Sequence, residues 1–485
     1  MPWITCPLQT NAQKFPDRTA IVAGRQKISY AQFHSAISLA EQWLVTKKIN
    51  KNNRVALIKD NSVDYLITLL ALWRRGAVAC LINPRMPSKA IQAQLKQLRC
   101  DYVLTGWPEE NKKQNIQEKR IDYNLEQEAT ILFTSGTSAQ PKAVVHSFGN
   151  HYYNALGSNE HIVLKDNDRW LLSLPLYHVS GLGILLRVLL AGATIVLASK
   201  KEALEESIQK YRVTHISLVP TQLFRLFQKK NLKLPSLKSI LLGGAPIPDN
   251  LLREAVKRKL PIYITYGLSE MASQTATSER INTQSKNREA KILKYRKVKV
   301  SSGEILVKGK TLFKGYARGR KIYLPIDKNG WFRTGDLGVL KNKKYLKVTG
   351  RKDNMFISGG ENIQPEEIER YLHRMKEIEQ AVVVAVEDKE FGFRPAAFIK
   401  MRMSKKINAE KIKNYLRKFL PSFKIPDRFC PWPALLRRSY LSVGVPIASP
   451  CEPNAGEVSG PGPRKQKEKG LKVSRLTLAQ SLILS

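Results

Sequence analysis

Arg54-Val-Ala-Leu-Ile58, Asp64-Tyr-Leu-Ile-Thr-Leu-Leu-Ala-Leu-Trp-Arg-Arg75 and Val78-Ala-Cys-Leu-Ile82 follow one another with only short breaks between them. The two five-residue runs are apolar and rich in branched side chains, as strands buried on both faces are. The twelve residues between them carry apolar side chains at helical spacing. Strand, helix and strand in this order predict an α/β fold with a largely parallel sheet. The rhythm returns further on, with strands expected at 129–133, 194–198, 216–219 and 240–242 and a helix over 179–190. From 296 to 350 it gives way to short strands with Gly turns, such as Gly303-Glu-Ile-Leu-Val307, which suits a β-rich subdomain.

A second unit is expected after Gly350-Arg-Lys-Asp353. Pro365-Glu-Glu-Ile-Glu369 has proline at the first helical position and acids in the first turn, both favourable at a helix start. A strand over 381–386 and a helix over 409–419 complete a small α+β domain. The expected division is therefore a domain over 1–350 and a mobile one over 351–485. Residues 434–464 hold five Pro and four Gly in 31 positions without periodicity, the composition of a disordered or anomalous insertion.

The 81 Lys and Arg exceed the 40 Asp and Glu by 41 charges, which raises nucleic acid as a partner. The lysines are scattered, however, and no motif interleaves aromatic and basic residues in the manner of RNA-binding modules. No nucleic-acid partner is expected; the positive field would instead favour polyanionic small molecules. Cys6, Cys80, Cys100, Cys430 and Cys451 lack metal-ligand spacing, and free thiols in the cytoplasm are the expectation. No signal peptide is expected from Met1-Pro-Trp-Ile-Thr-Cys-Pro7, which lacks a basic region followed by an apolar core. The apolar stretch 179–198 carries Arg187 near its middle, at a cost of roughly 2.5–3.5 kcal/mol inside a bilayer, so a buried helix and strand are expected rather than a membrane span. A homo-oligomer is left open.

The residues suited to chemistry lie at strand ends. Thr134-Ser135-Gly136-Thr137-Ser138-Ala-Gln-Pro-Lys142 packs four hydroxyls, a glycine and a lysine into nine positions. Such a loop can bend round phosphates with Lys142 as counter-charge, although it is not the P-loop pattern. Tyr266-Gly-Leu-Ser269-Glu270 follows an expected strand over 262–265. It offers an exposed aromatic for stacking on a purine, then a hydroxyl and a carboxylate for a phosphate and its Mg²⁺. Thr334-Gly-Asp336 sets a carboxylate on an expected tight turn, suited to a ribose diol, with Arg351 fifteen residues on.

In this order and spacing the motifs resemble the adenylate-forming superfamily of acyl-CoA synthetases, luciferases and peptide-synthetase adenylation domains. The similarity runs over roughly residues 10–430 and again 468–476. It implies an enzyme using ATP, Mg²⁺ and coenzyme A. The implied ATP site comprises Thr134, Ser135, Gly136, Thr137, Ser138 and Lys142 at the phosphates. Gly243, Gly244, Ala245 and Tyr266 would lie at the adenine, with Ser269 nearby and Asp336 and Arg351 at the ribose. Glu270 is implied as metal ligand, Asp353 as hinge, and Ser358, Gly359 and Gly360 as neighbours of the pantetheine tunnel. Gly470-Leu-Lys472-Val-Ser-Arg475 resembles the segment carrying the superfamily's catalytic lysine. Lys472, Lys142 and Glu270 are thus the expected catalytic residues. Ala139 and Ala143 stand where glycine is common in the phosphate loop.

Within the superfamily, Leu174-Pro-Leu-Tyr-His178-Val-Ser-Gly181, Arg187, Ser217-Leu-Val-Pro-Thr-Gln-Leu223, residues 350–361 and Asp388-Lys-Glu-Phe-Gly-Phe-Arg-Pro395 resemble the 2-succinylbenzoate–CoA ligases of menaquinone biosynthesis. That likeness implies a dicarboxylic substrate lined by His178 and Arg187. A lone cation in an apolar helix needs an anion, and one substrate carboxylate would provide it. Backbone carbonyls or an internal acid would satisfy it equally. Another aryl or fatty acid, or a nucleotide-binding homologue without catalysis, are the alternative readings.

Overall fold

The computed structural model describes residues 2–107, 120–134, 141–199, 201–229, 232–282, 289–358, 361–388, 391–402 and 406–432. The strand–helix–strand unit over residues 54–82 forms as expected. Strands Arg54–Ile58 and Val78–Ile82 pair in parallel from Arg54↔Val78 to Ile58↔Ile82, joined by helix Val63–Arg74. Ser62 starts this helix by accepting from the Tyr65 amide, the usual capping geometry. Every residue from Tyr65 to Trp73 is buried, so the helix is covered all round. The strands are covered on both faces too. Leu57, Ala79 and Leu81 enter the main core, while Ala56, Val78, Cys80 and Ile82 pack with Leu98 in another. That two-sided burial is why the runs are continuously apolar.

Two large sheets form among the described residues, one of seven strands and one of thirteen. Helices Tyr30–Thr46, Val63–Arg74 and Val179–Ala191 share one core with residues of both sheets, including Leu57 and Leu81 from one and Ile195 and Leu241 from the other. The expected parallel pairing occupies part of each: Glu128–Thr134, Val78–Ile82, Arg54–Ile58 and Tyr102–Leu104 at one end of the smaller sheet, and the run from Ile262–Leu268 to Thr19–Ala23 in the larger. In the larger sheet, Ile262–Leu268 pairs in parallel with Ser239–Leu242 on one side and antiparallel with Ser273–Thr277 on the other. From there the strands run antiparallel out to Arg296–Ser301. This is the β-rich part foreseen from the shift to short strands. The turn that joins Ile262–Leu268 to Ser273–Thr277 lies at the carboxyl end of a parallel strand, the side on which open α/β sheets present their ligand crevices.

After the strand Tyr345–Arg351, helices Pro365–Leu372 and Ala409–Arg417 pack on a three-stranded sheet of Ile378–Asp388, Gly392–Met401 and Arg428–Pro431. These elements have a core of their own, with Ile368, Leu372, Val383, Ile412 and Leu416 at its centre. The architecture is mixed α/β: a large N-terminal domain and a small C-terminal one. Residues 434–464 lie outside the described residues. No helix among the described residues is long and apolar enough to cross a membrane. Cys6, Cys80 and Cys100 carry free thiols. Cys430 departs from the expectation, being disulfide-bonded.

Candidate active site

Thr134 and Lys142 face each other across an antiparallel pair, at the end of strand Glu128–Thr134 and the start of strand Lys142–Ser147. The register therefore brings together the two ends of the hydroxyl-rich segment. Ser135, Gly136, Thr137 and Ser138 lie outside the described residues. Lys142 is exposed, with its Nζ 5.2 Å from the centroid of the Tyr316 ring. The Tyr316 hydroxyl donates to Glu270 Oε1 at 2.6 Å. Burial, then the adjacent Glu270 charge, push the Tyr316 phenol far above its usual range, so it stays a donor. Lys142, Tyr316 and Glu270 thus form one cluster drawn from three separate segments. No second hydrogen bond or ion pair to the Glu270 carboxylate occurs among the described residues. The other carboxylate oxygen of this half-buried residue thereby stays available to a hard cation. This suits Mg²⁺, which is commonly held by one or two carboxylates together with substrate phosphates.

Glu270 sits in a short 3₁₀ turn, Ser269–Met271, four residues beyond Tyr266. The structure corrects the reading of Tyr266 as an exposed residue at a strand end. It is half-buried inside the strand Ile262–Leu268, and its hydroxyl donates to Asp336 Oδ2 at 2.6 Å. Asp336 also departs from expectation. It lies within the strand Phe332–Lys341 rather than on a tight turn, although the strand is irregular, with a register shift between Leu337 and Gly338 and Gly335 at φ 72°. Buried Glu304 steadies that point, accepting from the Gly335 amide at 3.3 Å and from Arg333 at 2.7 Å. Asp336 is directly opposite Arg351 in the sheet, and Arg351 Nη1 donates to Asp336 Oδ1 at 2.9 Å. Both oxygens of the carboxylate are therefore oriented, one by a phenol and one by a guanidinium. A charge-assisted pair of this kind holds direction as well as position.

Gly243, Gly244 and Ala245 follow the strand Ser239–Leu242, beside Tyr266 on the next strand. A side chain at Gly243 would come within 2.5 Å of Thr265 Cγ2 and 2.7 Å of Thr265 O. Glycine is needed here because the two backbones approach so closely. The adenine-side residues named from the sequence are thus adjacent to the Tyr266–Asp336–Arg351 network.

The acyl-side residues lie at and within one helix, Val179–Ala191, but apart from each other. His178 immediately precedes the helix and packs edge-on against Tyr177, with ring centroids 4.9 Å apart. It keeps solvent contact, while the protein around its ring lowers its pKa by desolvation. Arg187 is 1% exposed. Its guanidinium lies 5.3 Å from the Trp170 ring centroid, and its Nε and Nη2 have no hydrogen-bond partner. Burial pushes it down to about 9, leaving it cationic at neutral pH. Gly183 makes room for this group, since a side chain there would lie 3.1 Å from Nη2.

Asp353 belongs to the 3₁₀ turn Lys352–Asn354, directly after the strand that carries Arg351. Ser358 ends the strand Phe356–Ser358, buried, with its hydroxyl 3.4 Å from Arg394 Nη1. Gly359, Gly360 and Lys472 lie outside the described residues. Sequence reasoning missed Tyr316, whose signal was an aromatic next to Gly315 at the start of the strand Gly315–Arg318. It also missed Trp170, which nothing in its apolar strand sets apart.

Comparison with known proteins places this geometry among relatives. A family model described as AMP-binding enzyme matches residues 8–317, and one described as AMP-binding enzyme C-terminal domain matches residues 367–438. The chain is 31% identical over 452 residues to a 2-succinylbenzoate–CoA ligase of Bacillus subtilis (strain 168), covering 87% of this chain and 93% of that protein. It superposes on o-succinylbenzoate CoA synthetase (MenE) from Bacillus subtilis in complex with the acyl-adenylate intermediate OSB-AMP. The TM-score there is 0.80 at 30% identity, over 89% of this chain and 95% of that one. The same enzyme in complex with ATP and magnesium ion gives 0.79 at 30% identity, over 88% and 96%.

Proposed function

The chain belongs to the AMP-binding enzyme family of acyl-adenylate-forming CoA ligases, and from that premise we propose that its acid is 2-succinylbenzoate, activated for menaquinone biosynthesis. In the first half-reaction a carboxylate oxygen of the acid bonds to the α-phosphorus of ATP, and the bond to pyrophosphate breaks. In the second, the coenzyme A thiolate attacks the acyl carbon of the mixed anhydride, and AMP leaves. The products are 2-succinylbenzoyl-CoA, AMP and pyrophosphate.

Each group has a place in this scheme. The 134–142 segment and Lys142 receive the phosphates, while Asp336, held by Tyr266 and Arg351, takes the ribose diol. Magnesium bound with the nucleotide would be held through Glu270 and would neutralise phosphate charge. Catalysis of the first step is mainly positioning and charge neutralisation, completed by Lys472. Asp353 is the hinge about which the small domain moves for the second step, with Ser358, Gly359 and Gly360 beside coenzyme A. His178 lines the acyl pocket.

The observation that carries the choice of acid is Arg187: a buried cation, with two nitrogens unpartnered, inside an apolar helix. A monoacid gives such a group nothing to bind, whereas the second carboxylate of 2-succinylbenzoate does. The decisive experiment is pyrophosphate release across a panel of aryl, fatty and dicarboxylic acids, for wild type and Arg187→Ala. Wild type should prefer the diacid. The variant should lose roughly 2–5 kcal/mol of transition-state binding for it, the scale for breaking a buried charge pair, with ATP affinity unchanged. An unchanged kcat/KM in the variant, or equal use of monoacids by wild type, rejects the diacid. Lys472→Ala should abolish adenylation yet spare transfer from supplied acyl-adenylate to coenzyme A.

A further inference from the structure

The turn that carries Glu270 is an unusually constrained piece of backbone. It reverses the chain between strands Ile262–Leu268 and Ser273–Thr277. It does so with Ala272 at φ 55° and Ser273 at φ 120°, a region that residues with side chains rarely adopt. Gly267 closes the other side, where a side chain would lie 2.0 Å from Ser273 O. Strain of this sort persists only where surrounding structure over-determines it.

The over-determination can be traced bond by bond. The Ser269 carbonyl accepts from His146 Nε2 at 2.7 Å, so that nitrogen carries the proton. The Glu270 carbonyl accepts from the Phe313 amide at 2.9 Å. The Met271 carbonyl accepts from Asn154 Nδ2 at 3.0 Å, and the same amide reaches the Gln274 carbonyl at 3.1 Å. Three successive carbonyls are thus each held by a different element. Two of the donors are side chains from elements outside the turn. His146 lies on the strand that begins at Lys142, and Asn154 on helix Phe148–Asn159. Both are almost fully buried, and His146 packs on His151 with ring centroids 4.8 Å apart. His146 also ties the strand that starts at Lys142 to the turn that presents Glu270.

We infer that His146 and Asn154 are positioning residues, which hold the Ser269–Ser273 turn so that the Glu270 carboxylate faces the metal–nucleotide site. This rests on the reading of Glu270 as the metal-binding carboxylate. Neither residue touches substrate; each acts through the turn.

The test measures Mn²⁺ bound to the full chain in the presence of a non-hydrolysable ATP analogue, by electron paramagnetic resonance, beside the two half-reactions. His146→Phe keeps a ring but removes the donor, leaving the Ser269 carbonyl with only the Ala272 amide of its own turn. It should weaken Mn²⁺ binding about tenfold, the scale of one such loss, slow adenylation, and leave transfer from supplied acyl-adenylate unchanged. His146→Gln, which restores an N–H donor, should recover most of the binding. Asn154→Ser should fall on the same pattern, and keeps the test open if His146→Phe does not fold. Unchanged Mn²⁺ binding in His146→Phe and Asn154→Ser, or equal loss of both half-reactions with metal binding intact, overturns the inference. Glu270→Gln separates the two claims. If it leaves Mn²⁺ binding intact, the reading of Glu270 fails. If it abolishes binding while His146→Phe and Asn154→Ser do not alter it, only the positioning role fails.

Discussion

Arg187 and Arg296 are both guanidinium groups taken almost wholly out of water, 1% and 6% exposed, yet they are treated in opposite ways. Burial pushes each down to about 9, and the charge of Arg187 adds to the effect on Arg296. In both places a helix supplies a glycine to make room. A side chain at Gly183 would lie 3.1 Å from Arg187 Nη2, and one at Gly157 would lie 2.5 Å from Arg296 Nη1. Arg296 then spends all three nitrogens on carbonyls: Nε on Gln274 at 2.8 Å, Nη1 on Lys294 at 2.6 Å and Nη2 on Asn154 at 3.0 Å. Arg187 keeps Nε and Nη2 unpartnered and has an aromatic face beside it. Burial of charge is therefore not what separates these two arginines; the pairing of their donors is. Native interiors pair nearly all their buried polar groups, so the exception requires a reason.

The comparison breaks most visibly in stability. Arg296→Met removes three hydrogen bonds from a charged donor to carbonyls, at about 1.5–3 kcal/mol each, so it should cost at least about 3 kcal/mol. Arg187→Met removes none and relieves an uncompensated buried charge, so it should be neutral or stabilising. Urea unfolding of the two variants measures the contrast directly. Similar losses in both would mean that Arg187 is a structural cation like its neighbour.

The second contrast is in the response to ligand. With a non-hydrolysable ATP analogue present, 2-succinylbenzoate at a hundred times its Kd should stabilise wild type by about 2.7 kcal/mol. Arg187→Met should lose that increment at the same concentration. A destabilised Arg296→Lys variant should keep it, since Arg296 has no free donor to offer. Thermal unfolding with and without the acid reads both. An increment lost only in Arg296→Lys would reverse the assignment of the two groups.

The sequence singled out one of these arginines and not the other, for a physical reason. Arg187 interrupts an apolar helix, so its charge is conspicuous. Arg296 sits in Lys294-Tyr-Arg-Lys-Val-Lys299, where basic residues are the background and only the fold selects which one turns inward. The same limit applied elsewhere. The strand–helix–strand unit over residues 54–82 was legible because two-sided burial leaves an uninterrupted apolar signal. The antiparallel extension was legible only as a change of rhythm, since its pairing order depends on contacts distant in sequence. Tyr266, Asp336 and Arg351 were each visible as residue types. That one carboxylate would be held by the other two was not, because that depends on the register of Asp336 opposite Arg351. Tyr316 and His146 act across 46 and 123 residues respectively, and no local pattern encodes such a contact.

The finest test of the comparison concerns Trp170, the group that stands beside Arg187 where carbonyls stand beside Arg296. Trp170 is fully buried, and its indole nitrogen has no hydrogen-bond partner, so its contribution lies in the ring. One neighbour is the Arg187 guanidinium at 5.3 Å, and another is the His215 ring at 5.2 Å. Burial lowers His215 to about 4, so it is neutral near pH 7 and adds no second positive charge there. A cation beside an aromatic face is stabilised by roughly 0.5–2 kcal/mol. That is enough to orient a guanidinium but too little to replace an anion. Trp170→Leu should therefore weaken the diacid by no more than that amount, chiefly in KM, and leave monoacid and ATP kinetics alone. Trp170→Phe, which keeps a face, should recover most of the loss. If Trp170→Leu costs as much as Arg187→Ala, the ring is a wall of the pocket in its own right. If it costs nothing, the guanidinium is held by packing alone, and the contrast with Arg296 rests entirely on the unpartnered nitrogens.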